Sequence, residues 1–260
     1  VSGPDWATVG QNTAPLLGYR SDTGFLAPGG LSPDFYAPQL SGDGVNWETL
    51  TPLNGNLHPS EGPAISFGPL GFMLSDIGKF FVSTDGLSWT PRPTTGLNGG
   101  LSLIQYLGGH YFLVGSLNDT RVKRSDNGLD YRTFFDALSG QMAYGKGRFV
   151  RAGSPARYSS DGMISTAIFG SRSYYGAAFG NGRFVLTGTN GAAYSDDGIT
   201  FTEVNVPNAD MRQAEYAFGR FVTVTGTQIL TSSDGTVWTQ VSGLPAQRSY
   251  QGLCVGNGLI

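Results

Sequence analysis

A turn of the form Ser-x-Asp-Gly-x-x-aromatic, or a close variant of it, returns six times along this chain at intervals of 34 to 42 residues. The copies read SGDGVNW (41–47), STDGLSW (83–89), SDNGLDY (125–131), SSDGMIS (159–165), SDDGITF (195–201) and SSDGTVW (232–238). A fixed period in this range marks a repeat architecture, in which each unit buries its apolar faces only against its neighbours. The 260 residues would otherwise suggest one large domain or two small ones. With the repeat, they are expected to close into one ring, a single domain 1–260.

One unit, residues 176–206, reads GAAFGNGRFVLTGTNGAAYSDDGITFTEVNV. Short apolar runs (177–179, 183–187, 192–195 and 199–204) alternate with Gly180-Asn181-Gly182, Thr189-Asn190-Gly191 and Asp197-Gly198. Asn-Gly and Asp-Gly between such runs are strong hairpin signals. Four antiparallel strands every 37 residues or so make a propeller blade. YGKGRFVRAG (144–153), FGNGRFVLTG (179–188) and YAFGRFVTVTG (216–226) repeat one inner hairpin, and YLGGHYFLVG (106–115) places His110 where the others have Arg148, Arg183 and Arg220. The first unit is the least regular, with an insertion around 28–34.

The ends complement each other. GLCVGNGLI (252–260) starts another inner hairpin, and GPDWATV (3–9) matches the end of a unit. The reading is therefore all-β, a seven-bladed β-propeller of four-stranded antiparallel blades, its ring closed by strands from both termini, which leaves no open sheet edge. Blade boundaries fall near 10–50, 51–93, 94–135, 136–170, 171–206 and 207–242, with 243–260 plus 1–9 as the seventh.

Composition agrees with an all-β interior: 40 glycines and 14 prolines, 12% aromatic and only 13% charged residues. A net charge of −3 supplies no basic field, so nucleic acid is not an expected partner. No run of 18 apolar residues exists, so no membrane insertion is expected. Cys254 is the single cysteine and has no intrachain partner. The chain starts at Val1 without a signal peptide, so a mature, processed or excised chain is expected.

In each turn the Ser and Asp side chains have the reach to accept backbone N–H bonds, Gly supplies positive φ, and the aromatic ring folds between neighbouring sheets. Identical chemistry at six positions is not one active site. The motif resembles the Asp-box, or BNR repeat, in a variant lacking the usual residue between Asp and Gly. The resemblance runs over nearly the whole chain, and five of six copies keep the aromatic; SSDGMIS does not. That family includes sialidases, xyloglucan-active hydrolases, a photosystem assembly factor, sorting-receptor ectodomains and bacterial and phage surface proteins. The resemblance implies a structural role, away from any active site, for Asp43, Trp47, Asp85, Trp89, Asn127, Tyr131, Asp161, Asp197, Phe201, Asp234 and Trp238.

Specificity is expected in non-repeated residues of the loops entering each inner strand (50–63, 91–100, 134–141, 169–175, 206–213 and 244–251) and joining the second and third strands. Arg172-Ser173-Tyr174-Tyr175-Gly176 and Arg248-Ser249-Tyr250-Gln251-Gly252 match on two blades, with Arg212 between them. Arg172, Tyr174, Tyr175, Arg212, Arg248 and Tyr250 are therefore the candidate ligand-binding residues, gripping a carboxylate or stacking on a sugar ring. The alternative is that the arginines pack along the blade and the tyrosines fill loops.

Glycosidic cleavage needs two carboxyl groups facing one bond. The four glutamates are Glu48, Glu61, Glu203 and Glu215; Glu61, Asp76, Asp119, Asp136 and Asp210 fall in the candidate loops and Asp34 in the insertion. The Phe/Tyr-Arg-Ile-Pro segment of sialidases is absent. His58 and His110 are the only histidines, and no metal cluster, cofactor-binding loop or nucleophile motif is evident. No catalytic residue, metal or cofactor is assigned.

The expectation is a non-catalytic, extracellular or virion-associated module that binds a glycan or a protein receptor, as part of a larger assembly such as a phage tail. Repeats of the form YGNGRFV…SSDGxxW resemble those of bacterial and phage surface proteins, which carries the virion element. A polysaccharide-active hydrolase of the Asp-box type and an assembly scaffold are the alternatives.

Overall fold

The computed structural model describes residues 18–20, 24–27, 31–32, 35–36, 39–43, 46–50, 65–76, 79–93, 101–115, 122–135, 140–161, 164–168, 170, 172–243, 250 and 253. The chain divides into two compact units, Val1–Thr133 with Cys254–Ile260 and Phe134–Leu253.

In the first unit, Gly18–Arg20, Gly24–Ala27, Gln39–Ser41 and Glu48–Thr49 form one four-stranded sheet, with a small ribbon of Leu31–Ser32 and Phe35–Tyr36 between its second and third strands. Ile65–Gly68, Gly71–Asp76, Lys79–Ser83 and Thr90–Pro93 form the second sheet. Leu101–Leu107, His110–Gly115, Val122–Ser125 and Arg132–Phe135 form the third.

The second unit repeats the pattern. Its sheets are Met142–Gly145, Arg148–Arg151, Arg157–Ser159 and Thr166–Ala167; then Tyr174–Gly180, Arg183–Gly188, Gly191–Ser195 and Thr202–Asn205; then Ala214–Ala217, Arg220–Val224, Ile229–Ser232 and Thr239–Gln240. Each is an antiparallel meander in chain order. Six four-stranded sheets thus stand among the described residues. The seventh unit expected from 243–260 and 1–9 lies outside them, save Gly243, Tyr250 and Leu253.

The second strand of each sheet carries an unbroken apolar stretch at its centre because both its faces are covered. Phe184, Val185 and Leu186 are all fully buried, each contributing about 1.5–3 kcal/mol over exposure. Their neighbours come from the sheets on either side: Phe184 and Leu186 pack with Val150 and Ala152, and Val185 with Ala214 and Phe221. Strands buried on both faces lose the alternation of a half-buried sheet, which explains the unbroken Phe-Val-Leu run. Close approach of inner strands needs glycine: a Cβ at Gly145 would collide with the ring of Phe179.

The repeated turns share one geometry. In the turn of the last sheet, Ser232 Oγ donates to Asp234 Oδ1 (3.2 Å) and accepts from Gly235 N (2.8 Å), while Thr236 N donates to Asp234 Oδ1 (2.8 Å). Gly235 has φ 79°, and Trp238 Nε1 donates to Gly235 O at 3.2 Å. Trp89 and Tyr131 close their turns likewise, on Gly86 O and Gly128 O (3.1 and 3.2 Å). Asp43, Asp85, Asn127, Asp161 and Asp197 each accept from the preceding Ser hydroxyl, at 2.8–3.0 Å. Phe201 packs against the apolar cluster around Val150 and Phe184, and Trp47 is half-buried.

The hairpin cation and the turn residue opposite it are matched. Arg183 Nε meets Asp196 Oδ1 at 2.7 Å, and its Nη1 donates to Asp234 O of the next sheet at 3.0 Å. His110, in the Arg position of its unit, meets Asp126 at 2.7 Å, and Asp126 holds the place of Asp196 in its turn. His110 is thus a turn partner.

Candidate functional site

The loops entering the inner strands of the second unit lie against one another. Gln141 N donates to Tyr175 O (3.3 Å), Tyr174 N to Gly153 O (3.1 Å) and Met211 N to Gly188 O (3.0 Å). Thr187 Oγ1 donates to Arg212 O at 2.7 Å. Side chains at the start of each inner strand are therefore positioned by backbone from the neighbouring sheet.

Two of the arginine–tyrosine candidates are engaged within their own sheet. Arg172 Nη1 donates to Asn190 O and to Val204 O (3.3 Å), Nη2 to Asn205 Oδ1 (3.3 Å), and Nε lies 3.6 Å from Glu203 Oε2. Tyr174 is buried at 3% exposure, and its hydroxyl donates to Glu203 Oε1 at 3.1 Å. Burial first, and then the Glu203 carboxylate, push its phenol above the usual tyrosine range. Together these two side chains tie the entry loop to the outer strand Thr202–Asn205.

The next residue along is the unpaired residue of a β-bulge between Tyr174 and Gly176, where the ladder is locally interrupted. Tyr175 is 46% exposed, and its hydroxyl shares a hydrogen bond with Thr189 Oγ1 at 3.1 Å. Arg212, on the adjoining entry loop, is exposed. Tyr250 is half-buried; its N donates to Gly226 O at 3.2 Å, and its buried hydroxyl oxygen has no hydrogen-bond partner among the described residues. Arg248 lies outside the described residues, as do Glu61, Asp119, Asp136, Asp34 and His58. Asp210 is exposed, and Asp76 ends the strand Gly71–Asp76.

A polar cluster not singled out from the sequence sits deeper on the same strands. Gln213 Nε2 donates to Leu253 O and its Oε1 accepts from Leu253 N, both at 2.9 Å. Gln141 grips Ala214 in the same two-bond manner, Nε2 to Ala214 O and Oε1 from Ala214 N, both at 2.9 Å, and also accepts from Ala177 N at 3.2 Å. Each glutamine amide thus imitates one rung of a sheet ladder within the second unit. Both amides also converge on Glu215 Oε1, Gln141 Nε2 at 3.0 Å and Gln213 Nε2 at 3.3 Å. Burial pushes the Glu215 carboxyl up to about 7, against the opposing pull of these two amides. The available sequence signal was positional: aligning the hairpins puts Ala143 and Ala178, both buried, where this unit has Glu215.

Among the described residues, no group of three or more His, Cys, Asp or Glu side chains is placed to hold a metal. No helix among them is long and apolar enough to cross a membrane.

No protein-family model and no curated protein matches the chain. Solved structures do. Virginiamycin B lyase from Staphylococcus aureus is 14% identical, with a TM-score of 0.71 over 94% of this chain and 89% of that one. A catalytically inactive histidine-to-alanine variant of that lyase with quinupristin is 13% identical, with a TM-score of 0.71 over 95% and 90%. YCF48 from Cyanidioschyzon merolae is 14% identical, with a TM-score of 0.59 over 91% and 88%. At these identities the likeness speaks for architecture alone: this is an all-β chain of antiparallel four-stranded sheets with the β-propeller fold.

Proposed function

We propose that this chain is a non-catalytic seven-bladed propeller, displayed extracellularly or on a virion, that binds a glycan on the rim formed by its entry loops. In this reading residues 243–260 and 1–9 supply the seventh blade. The observation that carries it is Tyr175: an aromatic ring nearly half exposed at 46%, its hydroxyl held by Thr189, on the strand whose Gly176 meets the backbone of the exposed Arg212 in the next loop. An aromatic face with a fixed hydroxyl and a neighbouring cation suits a sugar ring carrying hydroxyl or carboxylate groups. Arg172 and Tyr174 serve this rim from behind, by fixing the loop that presents Tyr175.

The test is a glycan array with product analysis of each retained polysaccharide. Retention without cleavage is expected. Cleavage would promote a hydrolase, and retention of no glycan would favour a protein receptor.

A further inference from the structure

Glu215 is the one carboxylate at its place in the repeat among the described units, where others carry Ser66, Gln105, Ala143 and Ala178. The side chain is half-buried, and a carboxylate drawn out of water costs free energy unless something compensates the charge. Departures of this kind from a repeat's internal consistency concentrate where a chain has something to do. The groups that act on the ionisation of Glu215 are burial and the amides of Gln213 and Gln141. The strands packed against its own, Tyr174–Gly180, Arg183–Gly188 and Arg220–Val224, carry two charged side chains, Arg183 and Arg220, and neither is among the groups that act on Glu215.

The two carboxylate oxygens are not equivalent. Oε1 accepts both glutamine amides, and both glutamines are themselves locked onto backbone. Oε2 has no hydrogen-bond partner among the described residues, and it does not stand among their buried unsatisfied atoms. The carboxylate is therefore held rigidly by one oxygen and offers the other to an incoming donor. A guanidinium prefers both oxygens of a carboxylate at once. A primary ammonium is a compact point charge satisfied by one.

We propose that Glu215, held by Gln141 and Gln213, is a preorganised subsite for a primary ammonium group carried by a ligand. An arriving ammonium supplies the charge that the fold leaves uncompensated. Because it stabilises the carboxylate form, binding near neutral pH releases a proton.

The test uses n-propylammonium as probe, n-propanol as its neutral counterpart, and the whole chain carrying carboxyl-labelled glutamate. The NMR titration midpoint of Glu215 is expected to fall by about one pH unit at saturating n-propylammonium and to stay put in n-propanol. Calorimetry should register binding to the wild type and at least tenfold weaker binding to Glu215→Gln. Glu215→Ala is the folding control, since Ala143 and Ala178 hold that position in other units. An unmoved midpoint, an equal shift in propanol, or equal affinity for Glu215→Gln would overturn the proposal. The probe is read without any glycan, so its failure leaves the rim reading standing.

Discussion

Gly180 lies flat against the ring of Tyr216 on the neighbouring inner strand, so close that a Cβ on Gly180 would fall within the ring itself. The same pairing recurs at Gly145 with Phe179, and a Cβ at Gly68 would meet the ring of Tyr111 first and that of Tyr106 next. An inner strand ends in glycine so that the aromatic residue of the next can close over it. This contact sets how near successive sheets of a unit stand.

Gly180→Ala is therefore expected to destabilise the protein by about 1–3 kcal/mol, the usual cost of overpacking a rigid site. Gly226→Ala, where a Cβ meets nothing within 4 Å, should stay within about 0.5 kcal/mol of wild type. Chemical denaturation of the two variants side by side measures the difference.

The Asp234 carboxyl is held down at about 2, first by the Thr236 hydroxyl and then by backbone N–H groups of its turn. A carboxyl depressed on folding contributes stability present above its unfolded value near 3.8 and lost as pH falls through the folded one. Melting temperature should accordingly drop between about pH 4 and pH 2. Asp234→Asn should flatten part of that loss while keeping the turn, because Asn127 already fills the same role with bonds to Ser125, Leu129 and Asp130.

Glu215 works in the opposite sense. Its carboxyl is raised from 4.5 to about 7 on folding, so the folded chain keeps a proton that the unfolded chain has lost. Stability from this group is present below pH 4.5 and is lost as pH rises to 7. Subtracting the thermal melts of Glu215→Gln from those of wild type across this window should reveal a decline that belongs to the wild type alone.

Tyr174→Phe removes the hydroxyl bonded to Glu203 and should cost about 0.5–1.5 kcal/mol. Tyr175→Ala, at an exposed ring, should leave the denaturation midpoint within about 0.5 kcal/mol of wild type. The two adjacent tyrosines thereby separate a packing role from a surface role.

The hairpins were legible because Asn-Gly, Lys-Gly and Asp-Gly dipeptides mark where the chain must adopt positive φ, as Asn181, Lys146 and Gly198 do. The matched loops Arg172–Tyr175 and Arg248–Tyr250 were legible as recurrences. Which tyrosine faces out was not, since it depends on a one-residue register in a strand with a bulge between Tyr174 and Gly176. Glu215 was harder still. Its partner Gln141 is 74 residues away, and only alignment with Ser66, Gln105, Ala143 and Ala178 shows it to be the one carboxylate at that place among the described units.

The most direct measurement is the dissociation constant of a glycan retained by the array, taken for wild type and Tyr175→Ala, with the polysaccharide checked for cleavage. The account predicts intact glycan and at least tenfold weaker binding to Tyr175→Ala, a loss of about 1.4 kcal/mol or more. Equal affinity for the two proteins, or a shortened glycan, would contradict it.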